Sequence, residues 1–348
     1  GEEFGEISSR HFILKNGTNY FHGGVMDFPR IFLQTYPDGG EPNKPDDIIM
    51  RLVNPMAPLR NEGSALKRRF VQKWSEFQML KRDFGKIPRV CLVSAFWKRP
   101  TLTNRIFAYY DRLKDTISDD LELVNIAVGS EGKKSRKIAE SNGFKYLEHE
   151  NLPLSKKWDS AVAFTRQFEP DAIVIVGSDD IIDANLLISL IKKIDEGRLV
   201  VGIKDLYIYD KKGKVVNYWP GYGEESDRYG ETIGLSRVIS RNLLEMANFS
   251  LWPDLEIDRS LDLSMTNRFI GFGLQPLDNS KEEFVYVNGI KISTAHSSFK
   301  MRELGGVAID VKTGTNITPL DSYELEKPEK NEKIESIINS VFGWQNEN

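Results

Sequence analysis

Two aspartates stand side by side in "AIVIVGSDDIID", residues 172 to 183. The apolar, β-favouring run before them reads as a buried strand, so Asp179 and Asp180 fall at its carboxyl end. Adjacent carboxylates repel, and burying them is costly unless a positive partner sits beside them. A divalent cation is the simplest such partner. A turn or cap at the start of the helix "NLLISL" is the plainer alternative. Two further strand ends carry polar residues: Ser94 to Arg99 in "SAFWKRP" and Gly129 to Glu131 in "VGSEG".

The elements that must position these residues alternate. From residue 88 the chain reads as strand "RVCLVSAFW", helix "TLTNRIFAYYDRLKDT", strand "LELVNIAVGS" and helix "KSRKIAESNGF". Then follow strand "KYLEHE", helix "SKKWDSAVAFTRQFEP", strand "AIVIVGS" and helix "NLLISLIKKIDEG". Thr101 or Thr103 is expected to cap the first helix, and Asn142-Gly143 to stop the second. Repeated β-α-β units imply an α/β fold, a mostly parallel sheet flanked by helices, with ligands at the carboxyl ends of its strands. After residue 198 the order loosens. Hairpins are expected around the Lys-Lys-Gly turn at 211–213 and around Asn288-Gly289. The Gly-rich "GYGEESDRYGETIG" is a long connection or a mobile loop, and an amphipathic helix closes the chain.

Residues 1 to 85 read differently, with a hairpin signal at Asn16-Gly17, a loop at "YPDGGEPNKPDD" and a helix bearing Leu66, Phe70, Val71, Trp74, Phe77 and Leu80. The expected organisation is an N-terminal accessory segment (1–85), a core domain (86–300) and a C-terminal extension with one helix (301–348).

Composition narrows the function. The 348 residues carry a formal net charge of −4, so no global positive field draws the chain to nucleic acid or anionic lipid. No apolar run approaches the ~20 residues of a membrane span, and the acidic start "GEEFGEISSR" is not a signal peptide. A single cysteine, Cys91, excludes an internal disulfide framework and fits a cytoplasmic location. "SAFWKRPTLT" contains no glycine, which disfavours a dinucleotide-binding turn. Neither a Walker loop nor a serine nucleophile elbow is present.

The order "SAFWKRP", "VGSEG", "LSKKWDSAV", "GSDD" resembles the nucleotide-sugar-binding half of a GT-A-fold glycosyltransferase of the family 2 type, over roughly residues 88 to 300. In that family the first strand ends near an N-R-P-like turn, matched by Lys98-Arg99-Pro100. An acid after the next strand contacts the base, matched by Glu131. A segment with Lys or Asn before a helix packs near the ribose, matched by "LSKKWDSA". A D-x-D motif ends the fourth strand. Here Gly177-Ser178 precedes Asp179-Asp180, so the family's first aspartate is missing.

The resemblance implies a GT-A-like (Rossmann-like) fold and transfer of a sugar from a UDP-, GDP- or dTDP-sugar to an acceptor hydroxyl, metal-assisted and inverting by direct displacement. Asp179 would bind Mn2+ or Mg2+, with His296 in "STAHSSF" as a second ligand, since neutral imidazole suits Mn2+. Asp180 would contact the sugar. Ser94, Phe96, Lys98, Arg99, Glu131, Lys156, Lys157 and Trp158 would bind the donor, the cations through charge-assisted contacts to phosphate. "WPDLEIDRSLD" supplies Asp254, Glu256, Asp258 and Asp262, of which Asp258 or Asp262 is the expected general base.

Each role has a structural competitor: a packed histidine for His296, a solvated face for Lys156-Lys157, core packing for Trp97 and Trp158, and first-turn acids for 254–262. The acceptor is open among saccharide, lipid-linked, protein and modified-nucleobase hydroxyls. A lipid-linked acceptor would place the protein at a membrane periphery. Two rivals stand beside this reading. A nucleotidyltransferase would need a Gly-rich loop after the first strand. A non-catalytic GT-A-like binding module is favoured by the missing aspartate.

Overall fold

A computed structural model describes residues 4–8, 11–14, 19–20, 59–83, 85–226, 228, 231–253, 255–278, 282–313, 320, 323–326 and 331–343. The chain divides into two compact units, Gly1–Arg69 and Phe70–Asn348. In the first unit β1 (Phe4–Ser8), β2 (His11–Leu14) and β3 (Asn19–Tyr20) form an antiparallel sheet. Phe12 stands opposite Tyr20, the pairing expected for this hairpin. Its Asn16-Gly17 turn and the "YPDGGEPNKPDD" loop lie outside the described residues.

Helix α1 (Leu59–Ser75) is followed by β4 (Arg89–Ala95), α2 (Pro100–Thr116), β5 (Glu122–Gly129), α3 (Lys133–Glu140), β6 (Lys145–Glu148) and α4 (Leu154–Thr165). Next come β7 (Ala172–Ile175), β8 (Asp180–Ile182), α5 (Ala184–Asp195), β9 (Val200–Ile203), β10 (Leu206–Asp210) and β11 (Val215–Trp219). Then follow β12 (Arg237–Ser240), α6 (Arg241–Met246), α7 (Leu261–Gly271), β13 (Gln275–Asp278), β14 (Phe284–Val287) and β15 (Ile290–Ser293). The last elements are β16 (Ala295–Phe299), β17 (Ala308–Lys312) and α8 (Glu332–Phe342).

The main sheet has the order β13-β16-β9-β12-β7-β4-β5-β6. Among the described residues only β12 runs against the other strands, so the sheet is mostly parallel, as expected. Its central strands are apolar on both faces because both are covered. Val90, Leu92 and Val174 pack on one side with Ile106 and Tyr110 of α2, Leu187 of α5 and Ile338 of α8. Cys91, Val93 and Ile173 pack on the other with Val162 of α4, Leu244 of α6, Phe269 of α7 and Trp74 of α1. Burial in this second layer pushes the Cys91 thiol up to about 12, which fits a packing role.

A second sheet, order β11-β10-β17-β8, covers the first core layer. The Lys-Lys-Gly hairpin is its β10–β11 pair, and β14–β15 is the hairpin expected at Asn288-Gly289. Ala308–Lys312 belongs to this sheet: β17 lies parallel to β10 and antiparallel to β8. The segment "VAIDVK" alternates apolar Val307, Ile309 and Val311 with Ala308, Asp310 and Lys312, a half-buried strand pattern. Neither Thr101 nor Thr103 caps α2. Arg99 precedes Pro100 in a left-handed conformation, and no side chain caps the helix. Gly143 at φ 71 follows α3, as the Asn-Gly stop signal predicts.

Candidate active site

The carboxyl ends of β4 and β7 open on a cleft of about 1010 Å³. Five segments build it: the β4–α2 loop, residues 151–158 leading into α4, the turn after β7, Asp258 with Arg259, and β17 with Tyr323. Lys98 and Arg99 both hold left-handed φ values, 54° and 55°. Such backbone costs a non-glycine residue roughly 1 kcal/mol, and here it aims the Arg99 guanidinium across the cleft. Arg99 Nη1 donates to Asp179 Oδ2 at 2.8 Å, and Nη2 to Ser178 Oγ at 3.1 Å.

Asp180 accepts from the Gly177 N–H at 2.6 Å through Oδ2. A Cβ on Gly177 would sit 2.7 Å from that oxygen and 3.0 Å from Asp179 Oδ1, so the turn requires glycine to bring both carboxylates in. The register of the second sheet places Asp310 directly opposite Asp180. Like charges opposite one another across a sheet destabilise it. Burial, then Asp179, then Asp310 push the Asp180 carboxyl well above the ordinary aspartate range. Burial pushes Asp310 up to about 6, against the opposing pull of Lys312. Lys312 Nζ lies 2.6 Å from Asp310 Oδ2 and donates to the Tyr323 hydroxyl at 3.2 Å.

Lys157 lines the cleft beside four other cations, Lys98, Arg99, Arg259 and Lys312. Its side chain is fully buried, and Nζ donates to the Phe96 carbonyl at 2.6 Å and to Asn151 Oδ1 at 3.1 Å. Burial lowers its pKa to about 8. Both hydrogen-bond partners are neutral, and the nearby Glu131 charge only partly offsets the burial, so an anion entering the cleft would offset more of it. Leu154, Lys157 and Trp158 line the cleft at i, i+3 and i+4 of α4, so Lys156 lies off that face and out of the cleft.

Of the expected donor-binding residues, Phe96, Lys98, Arg99, Lys157, Trp158 and Asp180 line the cleft, with Asp179 and Asp258. Ser94 and Glu131 do not. Ser94 is buried within β4. Glu131 accepts from the Lys98 N–H at 2.7 Å and holds the loop.

Asp258 and Asp262 separate clearly. Ser155 donates to the Leu255 carbonyl at 2.7 Å and accepts from the Ile257 N–H at 3.1 Å, which straps residues 255–258 onto the start of α4. Asp258 then accepts from the otherwise uncapped Leu154 N–H at 2.7 Å and faces the cleft. Asp262, in the first turn of α7, is bound elsewhere: Arg228 donates to its carboxylate and Arg237 to its carbonyl. Burial pushes its carboxyl up, but the Arg228 and Arg237 charges win and hold it low. Asp254 lies outside the described residues.

His296 is not brought to Asp179. It sits in β16, three strands from β7 in the sheet order β16-β9-β12-β7, roughly 14 Å at ordinary strand spacing. It is buried against Phe269, with Nε2 2.8 Å from the Thr232 hydroxyl. Burial, with the nearby Arg237, drives its pKa well below the usual range, so the ring is a neutral core histidine. Sequence reading missed Asp310, Lys312, Tyr323 and Arg259. The alternation in "VAIDVK" was the available signal for the first two.

No protein-family model matches the chain, and no curated protein matches it. Among solved structures, the chain is similar to the mannosyltransferase PcManGT from Pyrobaculum calidifontis in complex with GDP-Man and Mn2+. That match has 15% identity, 58% of this chain, 61% of that one and a TM-score of 0.34. It is also similar to TarS (1–349) from S. aureus, at 17% identity over 50% of this chain and 52% of that one, TM-score 0.37. A mannosyl-3-phosphoglycerate synthase from Rubrobacter xylanophilus matches at 10% identity over 78% of this chain and 74% of that one, TM-score 0.38. The chain thus spans 61% and 52% of the length of the first two. What the site can do follows from its own residues.

Proposed function

We propose that the chain is a glycosyltransferase that moves a sugar from a nucleotide-sugar donor to an acceptor hydroxyl with inversion. The observation that carries this reading is one cleft lined by the buried Lys157 ammonium and Arg99 together with Asp179, Asp180 and Asp310. Such a lining suits a nucleotide sugar, because cationic groups bind phosphate oxygens and carboxylates accept from hydroxyls.

In this reading Lys157 and Arg99 bind the diphosphate and stabilise the charge that grows on it as the bond to the anomeric carbon breaks. Asp258 takes the proton of the acceptor hydroxyl as its oxygen attacks that carbon, and the nucleoside diphosphate leaves with the bonding electrons. Asp180 and Asp310 hold the sugar's hydroxyls. Trp158 and Phe96 exclude water along the α4 wall.

A divalent ion fits the donor set in kind. Asp179 and Asp180 offer hard oxygens that suit Mg2+ or Mn2+, and a cation would relieve the repulsion that raises Asp180. Among the described residues no three His, Cys, Asp or Glu form a ready cage. The ion would therefore be held by Asp179 and Asp180 together with donor phosphates, as Mg2+ commonly is. When bound, it supplies Lewis-acid stabilisation of the leaving diphosphate. The engagement of Asp179 by Arg99 is what favours the second reading, a donor-binding module without turnover.

The test is nucleoside diphosphate release from UDP-, GDP- and dTDP-sugars with Mn2+, Mg2+ or EDTA, beside the Asp179→Asn variant. Metal-dependent release from one donor, lost in the variant, is the expected result. Binding of a donor without release would establish the module. No binding of any donor would overturn both.

A further inference from the structure

The rim of the cleft at the ends of β4 and β5 carries an unusual surface. Trp97 is 43% exposed and Leu152 57% exposed, two of the few large apolar side chains left open to solvent. Lysine 157 bonds both Phe96 and Asn151, which holds Trp97 and Leu152 on neighbouring segments. Glu131 accepts from the Lys98 N–H through its carboxylate, and its carbonyl accepts from the Lys134 N–H. Trp97 and Lys98 are thereby fixed beside the first turn of α3, and Lys98 Nζ lies 4.0 Å from the Trp97 ring centre.

Helix α3 adds charge to that rim. It reads "KKSRKIAE", has no acid in its first turn, and buries Ser135 and Ala139. Lys133, Lys134 and Lys137 fall in an arc of roughly 100° opposite those two, with Glu140 at its edge, by the geometry of a 3.6-residue repeat. All three are exposed, and none makes an ion pair or side-chain hydrogen bond among the described residues. In contrast Arg136, off that stripe, pairs with Glu140.

We infer that this rim is a docking surface for an anionic lipid bilayer, with Trp97 and Leu152 entering the headgroup region and Lys98, Lys133, Lys134 and Lys137 facing the lipid phosphates. Charge complementarity decides the occupant together with side-chain type. Lysines are drawn to an anionic leaflet, and tryptophan settles at the headgroup level. An exposed leucine gains from an acyl boundary and nothing from a nucleic-acid backbone, which favours a membrane over an RNA. The cleft opens at this rim, so docking would present it to groups at the membrane surface. The overall charge of −4 makes the attraction local rather than global.

The test is co-sedimentation of the full chain with phosphatidylcholine vesicles and with vesicles carrying about 30% phosphatidylglycerol. It reads vesicle binding, not sugar transfer, so it stands or falls apart from the proposed reaction. Binding is expected only to the anionic vesicles, weakening as salt is raised. The Lys133→Glu/Lys134→Glu variant should bind about tenfold or more weakly, by loss of two lysine attractions. Lys192→Glu/Lys212→Glu carries the same net charge change on other exposed lysines and should bind as the parent does. Trp97→Ser, with folding checked by circular dichroism, should also weaken binding. Equal losses in both lysine pairs would reduce the effect to net charge and overturn the proposal. So would an absence of anionic-vesicle binding, or retention by the same lysines of a single-stranded oligonucleotide in place of vesicles.

Discussion

Burial works against the charged forms of both Asp180 and Lys157, and each should show it in stability. For Asp180 the folded pKa lies above the unfolded one, so its charged form is penalised as pH rises. Asp180→Asn keeps an acceptor for the Gly177 N–H and removes that charge. It should gain on the wild type in chemical denaturation as pH rises above the ordinary aspartate value of 3.8, while losing donor turnover. For Lys157 the folded pKa, about 8, lies below the ordinary lysine value of 10.5. The penalty for burying the ammonium is therefore fully present below pH 8 and fades as pH rises from 8 to 10.5. Lys157→Met should be more stable than the wild type at neutral pH, with the advantage shrinking over that window. Gly177→Ala tests the turn itself. The new methyl must displace the carboxylates, and turnover should fall by about tenfold or more, the cost of misplacing a reacting group by an ångström.

At the scale of elements, the start of α4 and the start of α7 each claim one of the two aspartates that the sequence could not separate. Asp258 faces the cleft, so Asp258→Asn should cost turnover about 10²-fold or more, in the range of general-base losses, with the melting temperature little changed. Asp262→Asn breaks the clasp on Arg228 and should cost roughly 2 kcal/mol of stability, the scale of a lost charged hydrogen bond. A thermal melt beside a turnover assay on both variants distinguishes them. If Asp262→Asn lost activity at full stability, the assignment would be reversed. Strand β17, a stretch after residue 300, fills the gap between β10 and β8 and brings Asp310, one of the three clustered carboxylates, opposite Asp180.

Across the whole molecule, ligand binding and folding are linked. A nucleoside diphosphate at 100 times its Kd should stabilise the native state by about 2.7 kcal/mol. Differential scanning fluorimetry should therefore show a rise of several degrees for the matching nucleoside diphosphate. The rise should be absent in Lys157→Met. An equal rise in that variant would remove Lys157 from the phosphate site.

The sequence by itself determined the alternating layers, because periodicity of apolar residues is a local property that each strand and helix carries in its own segment. It also located Asp179, Asp180 and Arg99, since strand ends in a parallel sheet converge by architecture, whereas Lys157 is named only through the resemblance, together with Lys156, which does not line the cleft. Only the tertiary structure decided the rest. Asp310 is 130 residues from Asp180 in the chain and reaches it through cross-strand register, which no local pattern encodes. His296 carries the right side chain for a metal but sits three strands away, where Thr232 and Phe269 enclose it. Asp258 and Asp262 are one helical turn apart in sequence, and long-range partners, the Leu154 N–H for one and Arg228 for the other, send one to the cleft and the other into a clasp.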